Sequence, residues 1–210
     1  MPRTDKDLMK NPPLKVILIY QAVIDMINEG ADINHIKVAD LTKRAGIGKG
    51  TAYEYFSTKE EIITRALLYE LMKSMAYVEQ VAYNEEPFQN KIEMLLDYGI
   101  EHYHRGRTLF QIGKIVFGSF EISEPLKEQF CTLREENVCK QFLVLQKVII
   151  QAGVRENILK ESDPMRQSMV VNSQMISFLL GIKTIQKGES DMSIQELKHF
   201  IYENIVKLLG

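Results

Sequence analysis

Apolar residues recur at helical spacing along almost the whole chain of 210 residues, and this periodicity restricts the fold more than any other feature. Apolar positions three or four residues apart form one stripe on a helix. Between the turn signals there is no alternating β-branched run of the kind that forms a strand. The apolar share of 45% and the charged share of 26% are typical of a folded globular protein. The sequence therefore predicts an all-α fold.

Glycine and capping residues divide the first third of this pattern into helices. A helix is predicted over 14–28, with Gly30 as its stop, and two short helices follow over 38–45 and 49–56. Ser57 and Glu60 have the spacing of a capping box, in which each side chain accepts from the other residue's backbone amide. A long helix should therefore begin here and end near residue 84, before Pro87.

The remaining two thirds of the chain also read as helices. Asp163 before Pro164 is predicted to cap one helix, and Ser193 with Glu196 has the spacing of a second capping box. The predicted helices cover 88–104, 109–120, 125–152, 164–186 and 194–209. Because no linker or repeat separates them, the N-terminal and C-terminal parts should share the long helix that begins near Thr58.

The segment from Val38 to Ile62 carries the most chemical information. Its first short helix has Val38, Leu41 and Ala45 on one face, and Gly46 permits a sharp turn into the second. Two short helices joined by a tight turn with glycine are the pattern of a helix-turn-helix, which places its second helix in the major groove of DNA. Residues 37–59 carry five basic and two acidic side chains, a local charge of +3 that suits contact with phosphates.

This segment also resembles the TetR family of bacterial regulators. The residues that carry the resemblance are Leu41, Ala45-Gly46-Ile47, Lys49-Gly50-Thr51, Tyr53, Tyr55-Phe56 and Ser57 to Glu60. The match covers about the first quarter of the chain. The resemblance implies an N-terminal three-helix bundle with a helix-turn-helix (1–57), followed by a larger helical domain for effector binding and dimerisation (58–210).

The resemblance assigns the DNA contacts to the turn and the second short helix. Lys49 would meet a phosphate at the start of this recognition helix, Thr51 and Tyr55 would offer hydroxyl groups, and Lys59 would contact a further phosphate. Tyr53 is expected to pack its ring inward. Glu54 either accepts from a cytosine amino group or points to solvent. The predicted DNA-binding residues are Lys37, Gly48, Lys49, Gly50, Thr51, Tyr53, Glu54, Tyr55 and Lys59.

In the TetR family the last two long helices form a four-helix interface between two copies. The corresponding residues of this chain are Met169, Val170, Ser173, Ile176, Ser177, Leu180, Gly181, Phe200, Ile201, Ile205 and Leu208. Packing within one copy is the alternative role for these residues. A dimer is expected because one short recognition helix reads too few base pairs for useful specificity.

The resemblance also implies a small-molecule effector pocket in the C-terminal part. Apolar residues with a few polar groups are the usual lining of such a site. The candidate lining residues are Met94, Tyr98, His102, Phe110, Phe117, Phe120, Phe142 and Met175. Packing in the core is the competing role for each of them.

Other classes of protein fit the sequence less well. No catalytic motif occurs, and the cysteines and histidines lack the spacing of metal ligands, so neither an enzyme nor a metal or other cofactor is predicted. The N-terminus lacks a secretory signal, and the apolar stretch from Met169 to Ile182 is too short and too polar to span a bilayer. We therefore expect a cytoplasmic regulator, most simply a repressor, that binds double-stranded operator DNA as a homodimer. A helical interaction or ligand-binding module without DNA binding is the alternative.

Overall fold

The computed structural model describes residues 11–102, 123–126, 128 and 138–210, with the side chains of 138–140 excluded. All regular secondary structure in these ranges is helical, which confirms the predicted all-α class. The predicted helix over 109–120 and much of the first half of the one over 125–152 lie outside the described residues. The described helices are α1 (Leu14–Asn28), α2 (Val38–Arg44), α3 (Lys49–Tyr55), α4 (Lys59–Tyr83), α5 (Phe88–Glu101), α6 (Val138–Arg155), α7 (Pro164–Gln186) and α8 (Ile194–Leu209).

The contacts divide the chain into two compact units. The first comprises Met1–Ser74 and His104–Glu136, and the second comprises Met75–Tyr103 and Asn137–Gly210. Helix α4 contributes residues to both units. The functional boundary predicted after residue 57 stays a prediction, because compactness alone does not assign roles.

The first unit packs α1, α2, α3 and the first half of α4 around one apolar core. Val16, Ile19 and Val23 of α1 meet Leu41 of α2 and Phe56 at the end of α3, and all five are at most 2% exposed. Fully burying each such side chain contributes about 1.5 to 3 kcal/mol relative to exposure. The three-helix bundle predicted for the N-terminus is therefore present.

The residue that caps the start of α4 is Thr58, one residue later than predicted. The Glu61 amide donates to the Thr58 hydroxyl at 3.0 Å, and the Ser57 amide donates to the Glu61 carboxylate at 2.7 Å. The prediction of Ser57 and Glu60 was wrong because two overlapping pairs share the same spacing. Glu61 also accepts from Arg65 Nε at 2.9 Å, and Arg65 is 2% exposed, so burial of this ion pair favours the later start.

The second unit packs α5, α6, α7 and α8 around a separate apolar core that includes Phe88, Leu96, Phe178, Ile182 and Ile205. Its predicted caps are confirmed. The Asp163 carboxylate accepts from the Met165 and Arg166 amides at 3.0 Å, and Ser193 and Glu196 form a reciprocal capping box. These local bonds explain why α7 and α8 begin where the sequence predicted.

A buried lysine closes the end of α4. Lys91 on α5 is 3% exposed, and its Nζ donates to the carbonyl oxygens of Val81, Ala82 and Asn84 and to Asn84 Oδ1 at 2.6 to 3.3 Å. The last carbonyl groups of a helix have no partner within the helix, so this ammonium supplies one. Burial lowers the pKa of Lys91.

Among the described residues, α7 alone is long and apolar enough to cross a membrane by length and composition. Core helices of globular proteins pass the same test. Val171, Phe178 and Ile182 of α7 are buried in the core of the second unit, and α7 packs along α8. We therefore interpret α7 as a helix that packs one face in the second unit, although it is longer than the 14-residue apolar stretch on which the sequence argument rested.

Candidate nucleic-acid interface

The turn between α2 and α3 depends on Gly46. Its φ of +67° lies in the left-handed region, which favours glycine. The Gly46 amide donates to the Lys43 carbonyl at 3.3 Å, and the Ile47 amide donates to the Thr42 carbonyl at 3.0 Å. These two bonds form a Schellman motif, which ends α2 and redirects the chain into α3. The local sequence thus fixes the angle at which α3 leaves α2.

Buried contacts hold α3 against the bundle by one face. Ala52 is fully buried, Phe56 is 2% exposed, and Thr42 of α2 is 4% exposed with its hydroxyl donating to the Ala39 carbonyl at 3.2 Å. Ile47 is partly buried against the same core. The two helices therefore cross through small apolar contacts, as the sequence predicted, and the opposite face of α3 is left to solvent.

The exposed face of α3 carries Lys49, Gly50, Tyr53 and Glu54. The expectation that the Tyr53 ring packs inward was wrong: the side chain is 48% exposed, and Lys49 Nζ lies 6.0 Å from the centre of its ring. Ala52 and Phe56 occupy the inward positions, and Tyr53 lies about 100° further round the helix. A cation beside an exposed aromatic ring presents both charge and a hydroxyl group outward.

The other predicted DNA-binding residues lie around this face with unequal exposure. Lys37, which precedes α2, and Gly48, which precedes α3, are exposed. Thr51 is partly buried, and Tyr55 is partly buried against the core of the first unit, with its ring centre 6.4 Å from that of Phe56. Tyr55 is therefore less accessible from outside than Tyr53.

Two of the five basic residues in this segment are occupied by contacts within the protein. Arg44 forms a bidentate ion pair with the Glu29 carboxylate, and its Nε lies 4.0 Å from the Asp25 carboxylate. The hydrogen bond from Arg44 lowers the pKa of Glu29. Lys59 Nζ donates to the Asn34 carbonyl at 2.9 Å and lies 3.6 Å from the Glu60 carboxylate. The sequence could not reveal the contacts with Glu29 and Asn34, because these partners lie 15 and 25 residues away in sequence.

Gly50 is a glycine that the protein itself does not need. Its backbone does not have a positive φ, and a Cβ added to it would meet nothing within 4 Å. Within a helix, glycine is about 1 kcal/mol less favourable than alanine. A methyl group could therefore be accommodated at this position in the single chain.

The described candidates for the effector pocket lie in the second unit. Tyr98 stacks on Tyr77 with ring centres 4.2 Å apart and on His102 with ring centres 4.0 Å apart. The Tyr77 hydroxyl donates to the Met94 carbonyl at 3.2 Å, and burial raises the pKa of Tyr77. Met94, Tyr98 and His102 are predicted pocket residues. Tyr77, which contacts Met94 and Tyr98, belongs to the preceding helix, α4, and is not among the predicted residues.

The other pocket candidates are not brought into this stack by the described contacts. Met175 is partly buried against the core of the second unit, whereas Phe142 is 38% exposed. Phe110, Phe117 and Phe120 lie outside the described residues. The pocket therefore stays a prediction.

An apolar face of α7 and α8 remains uncovered in the single chain. Met165, Met169, Ile176 and Leu180 of α7 are 60 to 71% exposed. Phe200 and Leu208 of α8 are 52 and 45% exposed. Ser173 and Ser177 are also exposed, and they lie between these apolar positions on α7.

Four residues predicted for this interface contact the core of the second unit within one copy. Ile201 and Ile205 are at most 1% exposed in the core of the second unit. A Cβ added to Gly181 would lie 2.7 Å from a methyl group of Leu197, so this glycine serves packing between α7 and α8. Val170 is partly buried against the same core. Packing within one copy is the alternative role given to these residues above, and their part in an interface between copies stays a prediction.

The crossed α2 and α3, the glycine turn and the outward face of α3 define a helix-turn-helix unit. Residues 32–66, which include this unit, match the family model described as bacterial regulatory proteins, tetR family. The resemblance to the TetR family is confirmed, and the architecture is that of TetR-family regulators, with an N-terminal helix-turn-helix and a larger helical C-terminal domain.

Comparisons over the full length agree with this assignment. The chain is 22% identical over 195 residues to the uncharacterized HTH-type transcriptional regulator YvdT of Bacillus subtilis, covering 91% of this chain and 93% of that protein. The fold matches the transcriptional regulator FadR from Bacillus subtilis, solved in complex with stearoyl-CoA, with a TM-score of 0.62, 15% identity and coverage of 92 and 97%. It also matches the fatty acid degradation regulator FadR from Bacillus halodurans, with a TM-score of 0.65, 16% identity and coverage of 96 and 97%.

Proposed function

We propose that this chain is a cytoplasmic transcriptional repressor that binds a palindromic operator as a homodimer and is released from it by a small-molecule effector. The observation that carries the proposal is the outward face of α3. It combines Lys49, the exposed ring of Tyr53 and a glycine that nothing inside the protein requires.

The chemistry of this face suits a duplex. Lys49 supplies a positive charge for phosphates, and Tyr53 supplies a hydroxyl group that can donate to a phosphate oxygen. Gly50 lets the helix backbone approach the groove closely. Glu54 is exposed on the same helix and can accept from a cytosine amino group, the one base-specific contact open to a carboxylate.

A second copy of the chain is the partner that fits the exposed face of α7 and α8. Contiguous apolar surface of this kind is rare on a protein that stays monomeric in water. Two copies that pair through this face would present two recognition helices. A palindromic operator with half-sites one helical turn apart, about 34 to 36 Å, would then match the two-fold symmetry of the protein.

The effector is proposed to bind in the second unit, where Tyr77, Tyr98 and His102 stack. It can release the protein from DNA only by preferring a conformation that binds the operator less well. Stearoyl-CoA, which the FadR structure from Bacillus subtilis contains, is the first ligand to test. The TetR-like fold supports this choice, and the described pocket residues neither select nor exclude an acyl chain.

The experiment starts from binding-site selection on random duplex DNA, followed by fluorescence anisotropy with the selected operator over a salt series. Lys49→Ala should weaken binding about tenfold at low salt, because one phosphate contact is lost. For the same reason, the slope of the logarithm of the binding constant against the logarithm of the salt concentration should become shallower by about one. Lys147→Ala removes the same charge from an exposed position of α6 and is the matched control. Addition of stearoyl-CoA to the complex then tests release.

Two outcomes would contradict the proposal. Failure to enrich any sequence would leave the helical module without DNA binding as the better account. Equal binding by the Lys49→Ala and Lys147→Ala variants would show that α3 is not the surface that meets DNA.

A further inference from the structure

A short connection joins α3 to α4. Helix α3 ends at Tyr55 and α4 begins at Lys59, so three residues, Phe56, Ser57 and Thr58, lie between them. The Phe56 side chain is buried in the core of the first unit, whereas Ser57 and Thr58 are exposed. Exposed residues of a connection are more mobile unless hydrogen bonds hold their backbone. The contacts of this connection therefore help to set the direction in which α3 leaves α4.

The Glu61 carboxylate holds the backbone of this connection from the first turn of α4. Its Oε2 accepts from the Ser57 amide at 2.7 Å, and the Glu61 amide donates to the Thr58 hydroxyl at 3.0 Å. In a capping box, the glutamate at this position accepts from the amide of the capping residue, which here is Thr58. The Ser57 amide lies one residue nearer to α3. The carboxylate therefore ties α4 to the segment that follows α3.

A buried arginine holds this carboxylate in place. Arg65 is 2% exposed, and its Nε donates to the other oxygen of Glu61, Oε1, at 2.9 Å. Burial raises the pKa of Tyr20 of α1, and the charge of Arg65 is close enough to oppose that rise. The ring centre of Tyr20 lies 5.9 Å from that of Phe56. The ion pair therefore lies where α1, α4 and the end of α3 meet.

A buried ion pair adds little to stability by itself. Removal of two charges from water costs about as much free energy as their attraction returns, so well-packed apolar residues often stabilise a core equally well. A buried pair does restrict geometry, because neither charge can leave its partner without a large penalty. Only 12% of the Glu61 side chain is exposed, so Arg65 restricts the position of Glu61, and Glu61 restricts that of Ser57.

We propose that Glu61 is a positioning residue, which holds α3 in the orientation that binds DNA through its bond to the Ser57 amide, and that Arg65 fixes the Glu61 carboxylate for this role. The inference rests on the proposed function, since α3 is the helix proposed to bind DNA. Both side chains are largely buried, so they act on affinity through the position of α3 and not through contact with phosphates. Their loss should therefore weaken binding without changing its salt dependence.

The first test compares two double variants that differ only in whether residue 61 can accept a hydrogen bond. Arg65→Met with Glu61→Gln keeps an amide oxygen for the Ser57 amide, whereas Arg65→Met with Glu61→Leu keeps no acceptor. Both variants remove the two charges of the pair together, so their net charge equals that of the unmodified chain. Any further contact of Arg65 is lost from both alike, and the comparison isolates residue 61.

The variant with Glu61→Leu should bind the selected operator about threefold to tenfold more weakly than the variant with Glu61→Gln, the value of one hydrogen bond. The salt dependence of binding should be the same for both, because no phosphate contact changes. Circular dichroism checks that both proteins are folded under the assay conditions. Equal affinities would overturn the proposal, and so would a shallower salt dependence with Glu61→Leu, which would indicate a lost phosphate contact.

The second test keeps the buried charges and decides the matter if a double variant does not fold. Glu61→Asp leaves a carboxylate beside Arg65, but the side chain is one methylene shorter and cannot contact both Arg65 and the Ser57 amide as Glu61 does. Operator binding should be about threefold to tenfold weaker, with unchanged salt dependence.

Glu156→Asp is the matched control, because the Glu156 carboxylate accepts from the Phe88 amide at 2.9 Å in the second unit. This variant should bind operator as the unmodified chain does. Equal affinity of the Glu61→Asp and Glu156→Asp variants would overturn the proposal. Failure of the unmodified chain to bind any selected duplex would instead overturn the proposed function.

Discussion

Helices α3 and α7 each present an exposed face to solvent, and the two faces differ in chemistry. The face of α3 carries a lysine, an aromatic ring and a glycine, whereas the face of α7 carries Met169, Ile176 and Leu180. The first suits a charged polymer that approaches closely, and the second suits another apolar surface. The proposed function assigns DNA to the face of α3 and a second copy of the chain to the face of α7.

The largest effect is expected from charge on the α7 face. Ile176→Glu with Leu180→Glu should give a monomer, because two carboxylates would have to be buried between the copies. Operator affinity should fall at least about 100-fold, since the second half-site no longer binds as part of the same molecule. Light scattering after size-exclusion chromatography and anisotropy measure the two effects. Lys147→Glu, on an exposed position of α6, should change neither, and a dimer that survives the double substitution would place the interface elsewhere.

The next effect concerns the stability of the second unit. Lys91→Met keeps most of the side-chain volume but leaves the buried carbonyl groups at the end of α4 without their donor. The free energy of unfolding should fall by about 3 kcal/mol, measured by denaturant titration. Lys147→Met, at an exposed position, is the control. A loss below about 0.5 kcal/mol would mean that water replaces the ammonium without penalty.

Gly50→Ala separates stability from binding on the α3 face. The added methyl group meets nothing within the protein, so the free energy of unfolding should rise by up to about 1 kcal/mol through helix propensity. Operator affinity should fall by about tenfold because the methyl group keeps α3 away from the groove. A variant that is more stable and binds DNA unchanged would show that Gly50 does not face the duplex.

The smallest effect is expected from Glu54→Ala. If the carboxylate accepts from a cytosine, the variant should lose preference at one base pair of the half-site, by about 1 to 3 kcal/mol, while binding to other sequences changes little. Binding to a set of singly substituted operators measures this. Uniformly tighter binding would instead indicate a solvent-exposed carboxylate that only repels phosphates.

The parts of the fold that were predicted correctly depend on local signals. Helices α1, α7 and α8 begin and end at the predicted residues because Gly30, Pro164 and the Ser193 box act within a few residues of themselves. The turn at Gly46 was predicted for the same reason, since only the residue type and its immediate neighbours determine the left-handed conformation.

The errors arise where tertiary contacts choose between local alternatives. Two overlapping cap positions were possible at the start of α4, and Glu61, which also pairs with the buried Arg65, binds at the later one. Tyr53 and the apolar residues of α8 could each have faced either way, and packing decides their side. Arg44 and Lys59 looked like free basic residues, although their partners, Glu29 and Asn34, lie 15 and 25 residues away in sequence.

The most direct test of the central claim is a hydroxyl-radical footprint of the full chain on its selected operator. The account predicts two protected patches related by a two-fold axis, with centres 10 to 10.5 base pairs or a multiple of that apart, and loss of both patches in the Lys49→Ala variant at moderate salt. A single patch, or two patches that persist in that variant, would contradict the claim that paired copies of α3 bind successive major grooves.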